Sequence, residues 1–412
     1  MPTLVYIPEI LEEHFEEAAF LLHLRAAQVG SGRMLYRQFM DLDERIEGHL
    51  QGLAAVPDGA AEMAMSHLGS KDPLMLGAAI VTLMTLNYTA AFEKCVALLA
   101  GPETMPMALS ALELRCSPGM SGGLKSLAQN GAAPLAAVAA MTVQAAHFPR
   151  EVNSHELGKV LAHADAPVRA AAWGAAQHLS EPRTPMQYRA GGADAAPQVR
   201  DAALTAAAWA GQSTVLDACR PLTKAPIPAS MVPLRLFAIL APPTDAPTLT
   251  QLASPANSPL GPARFDLLAA SGLPTTIPPL LAAMRDADAA VAAAAADAFE
   301  RLTNFQPPAK GVKALTPPGA EPDAVEKEFV PEVNIPDPDA AARYWASVEP
   351  TLGKCIRIAR GMAVDPAPAD DVLLELDCAA RDAVLLRRAA TPEGKTFARW
   401  GARWSFPQRA GR

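Results

Sequence analysis

A chain of 412 residues is too long to close around one ordinary hydrophobic core, but an architecture that grows by stacking repeated units escapes that limit. Half of the residues are hydrophobic and only 5% are aromatic, so the interior must be aliphatic and packed through alanine. A formal net charge of −8 excludes a general nucleic-acid binder, which needs an excess of Lys and Arg to hold phosphates.

The N-terminus lacks a positively charged region followed by an apolar core, and no run approaches roughly 18 uninterrupted apolar residues. The chain is therefore expected to be cytoplasmic, with no membrane insertion. Residues 9–29 predict a helix entered through Pro8. Glu9, Glu12, Glu13, Glu16 and Glu17 crowd its first turns, where the backbone dipole favours negative charge, and Leu11, Phe15, Ala18 and Leu22 form its apolar stripe. A second helix at 39–53 carries Leu42, Ile46, Leu50 and Leu53 on one face. Residues 1–60 together are expected to form an N-terminal helical cap.

From 61 to 304 one pattern recurs: a short apolar helix, a break, a proline or polar residue, and a helix of small residues. The phase marker falls at Pro73, Pro106, Pro134, Pro167, Pro233 and Pro262, with Gln198 and Ala290 in the same slot. Successive spacings are 33, 28, 33, 31, 35, 29 and 28 residues. Proline suits the first helical position, which needs no N–H donor and has φ close to the value the ring imposes. A period near this length with two helices per unit predicts an all-α fold, an α-solenoid of about eight repeats. A proline-rich patch at 221–259 predicts short helices and long loops there.

Residues 305–340 read as a proline-rich linker, extended over the surface. Residues 341–412 are expected to form a C-terminal helical cap, its main parts a helix from Asp339 onward and another at 371–388. The ends differ in charge: residues 1–60 carry four basic and ten acidic side chains, residues 341–412 twelve basic and eight acidic.

The unit "HADAPVRAAAWGAAQHL", with Asp165, Pro167, Val168 and Arg169, resembles the HEAT-repeat family. In that family the Asp and Arg tie adjacent repeats together, and Arg200 repeats the Arg one unit on. The N-terminal "EEHFEEAAFLLHLR" and "LDERIEGHLQGL" are similar to the opening of a proteobacterial HEAT-repeat family often encoded among type VI secretion genes. That resemblance implies a protein partner, either a secreted effector or a secretion component.

Candidate chemistry is sparse. His14 lies among glutamates at spacings that match no metal motif, and His155–Glu156 is one His–Glu pair where the HEAT-repeat iron hydroxylases use four. No metal and no cofactor are assigned. There is no nucleophile elbow, and the glycine pairs at 122–123 and 191–192 lie between predicted helices. Five widely spread cysteines read as reduced, mostly buried thiols. Trp173 and Trp209 sit on repeat helices, either packed between repeats or lining a groove. Arg399, Trp400, Arg403, Trp404 and Phe406 make a basic aromatic tail that either anchors a partner or folds back on the last repeat. These seven residues are the candidate partner-binding positions. The expected function is a non-enzymatic protein-binding scaffold, an adaptor, chaperone or immunity protein of type VI secretion. The alternative is an enzyme or prosthetic-group handler on the same scaffold, such as a metal hydroxylase or a bilin-lyase-like protein.

Overall fold

The computed structural model describes residues 7–130, 133–179, 183–315, 330–365 and 368–390, and there the chain is predominantly α-helical. It packs as two compact units, one holding residues 7–29 and 37–212, the other residues 30–36 and 213–390.

The first unit opens with α1 (Pro8–Gln28) and α2 (Tyr36–Ala54), close to the expected bounds. Helix pairs follow: α3 (Pro57–His67) with α4 (Pro73–Thr85), and α5 (Phe92–Leu98) with α6 (Met105–Leu114). Next come α7 (Ser121–Asn130) with α8 (Pro134–His147), and α9 (Ser154–Leu161) with α10 (Ala166–Gln177). The last pair is α11 (Pro185–Gly192) with α12 (Pro197–Trp209).

Composition decides which helix of each pair lies inside. Helix α8 buries every residue from Ala136 to Ala145, and α4 every residue from Leu76 to Met84. A helix apolar on all sides must be surrounded. Helix α8 is accordingly held by its partner α7 and by α6 and α10, and α4 by its partner α3, by α1 and by α6; α4, α6, α8, α10 and α12 pack in succession. The first helices are one-sided: α7 buries only Leu124 and α9 only Leu157.

Two of the six phase-marking prolines take the first helical position anticipated for them, and Pro233 stands third in its helix. Pro73 and Pro134 open their helices, Pro106 and Pro167 stand second, and Pro197 opens α12 with Gln198 second. Arg169 ties successive pairs: Nε and Nη2 donate to the two carboxylate oxygens of Asp194 at 2.8 and 3.0 Å, and Nη1 donates to the carbonyls of His163 and Ala164. The acid is Asp194, one pair further on. Asp165 is exposed at the start of α10 without a side-chain capping bond, and Arg200 bonds its neighbour Asp201.

The second unit repeats the arrangement with shorter helices, α13 (Thr214–Cys219) with α14 (Met231–Leu240) and α15 (Ala246–Leu252) with α16 (Arg264–Ser271). The next pair is α17 (Ile277–Ala283) with α18 (Ala289–Thr303), and α14, α16 and α18 again pack in succession. Pro262 departs from the pattern, lying in a 3-10 turn that ends just before α16.

Beyond α18 the chain is not wholly helical. In the stretch expected to be an extended linker, β1 (Ala309–Ala314) pairs antiparallel with β2 (Glu332–Pro336), Val312 opposite Asn334. Pro317, Pro318 and Pro322 lie outside the described residues. Helix α19 (Pro338–Leu352) leads to a small hairpin of β3 (Ile358–Ala359) and β4 (Met362–Ala363). The single helix expected at 371–388 is two, α20 (Asp370–Glu375) and α21 (Cys378–Ala389). The break has a cause 340 residues away: the carbonyl of Leu376 accepts from the amide of Tyr36 at 2.8 Å, and the Cys378 amide donates to Met34. Asp377 then caps α21, its carboxylate accepting from the Ala380 amide. No helix among the described residues is long and apolar enough to cross a membrane.

Candidate functional site

In the first unit, a recess of about 390 Å³ opens where α4 and α6 end beside α2. Helix α4 stops at Asn87, which takes the left-handed conformation at φ 50°, while the Tyr88 amide reaches back to the Leu83 carbonyl at 3.0 Å. This is a helix stop in which asparagine substitutes for the usual glycine. The turn brings Asn87 Oδ1 to the hydroxyl of Ser117, which donates to it. Ser117 in turn follows Arg115, the extended residue that ends α6.

Arg115 organises the wall. One nitrogen donates to Thr85 Oγ1 and the other to Glu47 Oε2, each at 2.8 Å, so the guanidinium bridges α2, α4 and the exit of α6. Both members of the ion pair are largely shielded, with side-chain exposures of 13% and 14%. Phe92, Pro118 and the mostly buried Cys116 add apolar wall. Burial pushes the Cys116 thiol up to about 12, so it stays a protonated thiol at neutral pH and is a poor nucleophile. The recess is open and presents a charge-neutral pair, hydroxyls, an amide and an aromatic edge, its polar groups bonded among themselves.

A second polar group continues along the ends of the inner helices. His147, the last residue of α8, donates Nε2–H to the carbonyls of Leu112 and Glu113 at 2.8 and 3.0 Å, satisfying groups that the end of α6 leaves open. His178 at the end of α10 meets the Glu113 carboxylate at 3.1 Å. Thr85, Arg115, His147 and His178 therefore belong to one seam that stitches successive pairs.

The seam gives a pH dependence. Burial lowers the His147 pKa below its ordinary 6.5, outweighing the carbonyl bonds that favour its charged form. A depressed pKa in the fold means that the unfolded chain takes up the proton first. The associated stability is complete above 6.5 and is lost as pH falls through the folded value. The thermal midpoint is expected to decline on acidification from neutrality towards about pH 5, and His147→Gln to flatten part of that decline. Superimposable profiles for the two proteins would assign the dependence to other groups.

Of the residues singled out by sequence, Trp173 is 2% exposed and stacks on Tyr188 at a centroid distance of 5.4 Å. It packs between pairs, so its ring is not open to a partner. Trp209 is half-buried at the end of α12. Arg399, Trp400, Arg403, Trp404 and Phe406 lie outside the described residues. His155 is exposed at the start of α9, and Glu156 pairs with Lys159. Sequence reasoning passed over Glu47, Asn87, Arg115 and Ser117. Their only local signals were an asparagine after an apolar helix and the turn-forming "SPG" at 117–119. No protein-family model matches the chain, and no curated protein matches it.

Proposed function

We propose that the chain is a HEAT-like α-solenoid acting as a non-enzymatic protein-binding scaffold. The observation that carries this reading is the succession of inner helices, each packed on the next, whose ends form a polar seam with a ligand-sized recess. Repeated pairs build a surface unit by unit, and such a surface suits an extended protein segment. A partner side chain would seat in the recess, oriented by the Glu47–Arg115 pair. The likeness of α1 and α2 to a type VI secretion-linked family points to an effector or a secretion component as partner. The chain would then serve as adaptor, chaperone or immunity protein. The protonated Cys116 and the neutralised ion pair favour binding over the enzymatic alternative.

The test is capture of tagged protein from its native host at low and moderate salt, with mass spectrometry of what is retained. One stoichiometric protein is expected, with retention reduced in a folded Arg115→Ala variant. A chain ending at residue 390 separates the contribution of the tail residues from that of the recess. Recovery of the bare protein at both salts would remove the scaffold reading.

A further inference from the structure

The fold joins two histidines that the sequence holds 35 residues apart. His14 of α1 and His49 of α2 are both half-buried, with Nδ1 atoms 3.1 Å apart and rings inclined at 68°. The approach is built into the backbone. A Cβ at Gly52 would lie 2.7 Å from the His14 ring, so a larger residue there would make the imidazole shift.

The separation admits two occupants. One is a single shared proton in an N–H···N bond. The other is a metal ion: two nitrogens on one zinc at about 2.0–2.1 Å lie roughly 2.9 Å apart at a right angle and roughly 3.3 Å apart at the tetrahedral angle. The observed 3.1 Å falls between. Acidic groups stand close by: Glu17 follows His14 by three residues, hence on the same face of α1, and Glu13 and Glu17 favour positive charge at His49 while burial, His14 and Arg45 oppose it. Among the described residues no third His, Cys, Asp or Glu side chain already converges on the pair, so Glu17 has to change rotamer to ligate and water completes the shell.

We infer that His14 and His49 form a two-histidine site for a divalent transition cation of the zinc class, with Glu17 as its carboxylate ligand. Spacing alone assigned no metal at His14, because the second nitrogen comes from the next helix. The site pins α1 to α2 and is separate from the Glu47–Arg115 recess. Its occupancy is independent of whether the chain binds a protein.

Chelator-treated full-length protein is titrated with zinc chloride, and binding and the thermal midpoint are followed together. Wild type is expected to bind one equivalent more than either His14→Ala or His49→Gln, and to gain thermal stability that both variants lack. Glu17→Gln is expected to weaken that equivalent without abolishing it. Equal zinc binding by wild type and both histidine variants, or none by wild type, would overturn the site. Unchanged affinity in Glu17→Gln would overturn the carboxylate's part in it.

Discussion

Replacing Asp43 by alanine is expected to destabilise the first unit by about 3–5 kcal/mol, among the largest effects of any single substitution in the chain. Asp43 on α2 accepts from Arg25 Nε at 2.6 Å and from Nη2 at 3.4 Å, and the two residues are 5% and 6% exposed. The guanidinium also lies 4.9 Å from the centre of the Phe39 ring. The alanine variant keeps the buried cation and deletes the charge that compensates it, which is why the cost exceeds the net worth of the pair. A double replacement, Arg25→Met with Asp43→Leu, removes both charges and fills the space. It is expected to return to within about 1–2 kcal/mol of wild type. Urea denaturation of the three proteins decides the matter. A mild Asp43→Ala would mean that solvent reaches the pair, and a double variant as damaged as the single one would mean that packing around α1 and α2, rather than charge, sets the loss.

Much of the helical framework was legible because its signals are local. Proline before a small-residue helix marks a start whatever surrounds it, and Pro73 and Pro134 stand where the rule places them, with Pro167 one residue later. The alanine-rich run at 136–145 carries its own reading, since a helix without a polar face has to be enclosed, whereas the run at 289–298 buries only the side that holds Ala289, Val291, Ala292, Ala295 and Ala298. What stayed hidden depends on partners far along the chain. The break at Leu376 and Asp377 follows from pairing with residues 34–36, and nothing in "VLLELDCAARD" announces it, because both flanks are good helix formers. The recess is equally non-local: Glu47 and Arg115 are separated by 68 residues, and each looks alone like an ordinary solvated charge. Trp173 shows the reverse case. A tryptophan on a repeat helix invites a functional reading, yet Gly191 and Tyr188 leave a slot that its ring fills.

In the second unit the corresponding loss is expected from Arg357→Ala, at about 3 kcal/mol. Arg357 is 3% exposed, and its two terminal nitrogens donate to the carbonyls of Ala241 and Ser271, at the ends of α14 and α16. Helix ends leave such carbonyls without partners, and here one planar guanidinium spans two of them. The backbone beside it continues the pattern, with the Ile358 amide donating to Gly272 and the Arg360 and Gly361 amides to Arg301 and Leu302 at the end of α18. Gly272 allows this approach, since at φ 70° it turns the chain under Ile358, where a Cβ would meet the Ile358 carbonyl at 3.1 Å. A charge-assisted bond contributes roughly 1.5–3 kcal/mol, and the desolvation that lowers the Arg357 pKa offsets part of the two. Lysine keeps the charge but not the fork, so Arg357→Lys is expected to recover less than half of the loss. Hydrogen exchange locates the effect: amides of α14 and α16 should lose protection while those of α8 and α10 keep theirs. Full recovery with lysine would show that charge alone suffices, and uniform loss of protection across both units would show that Arg357 supports the whole chain rather than this set of helix ends.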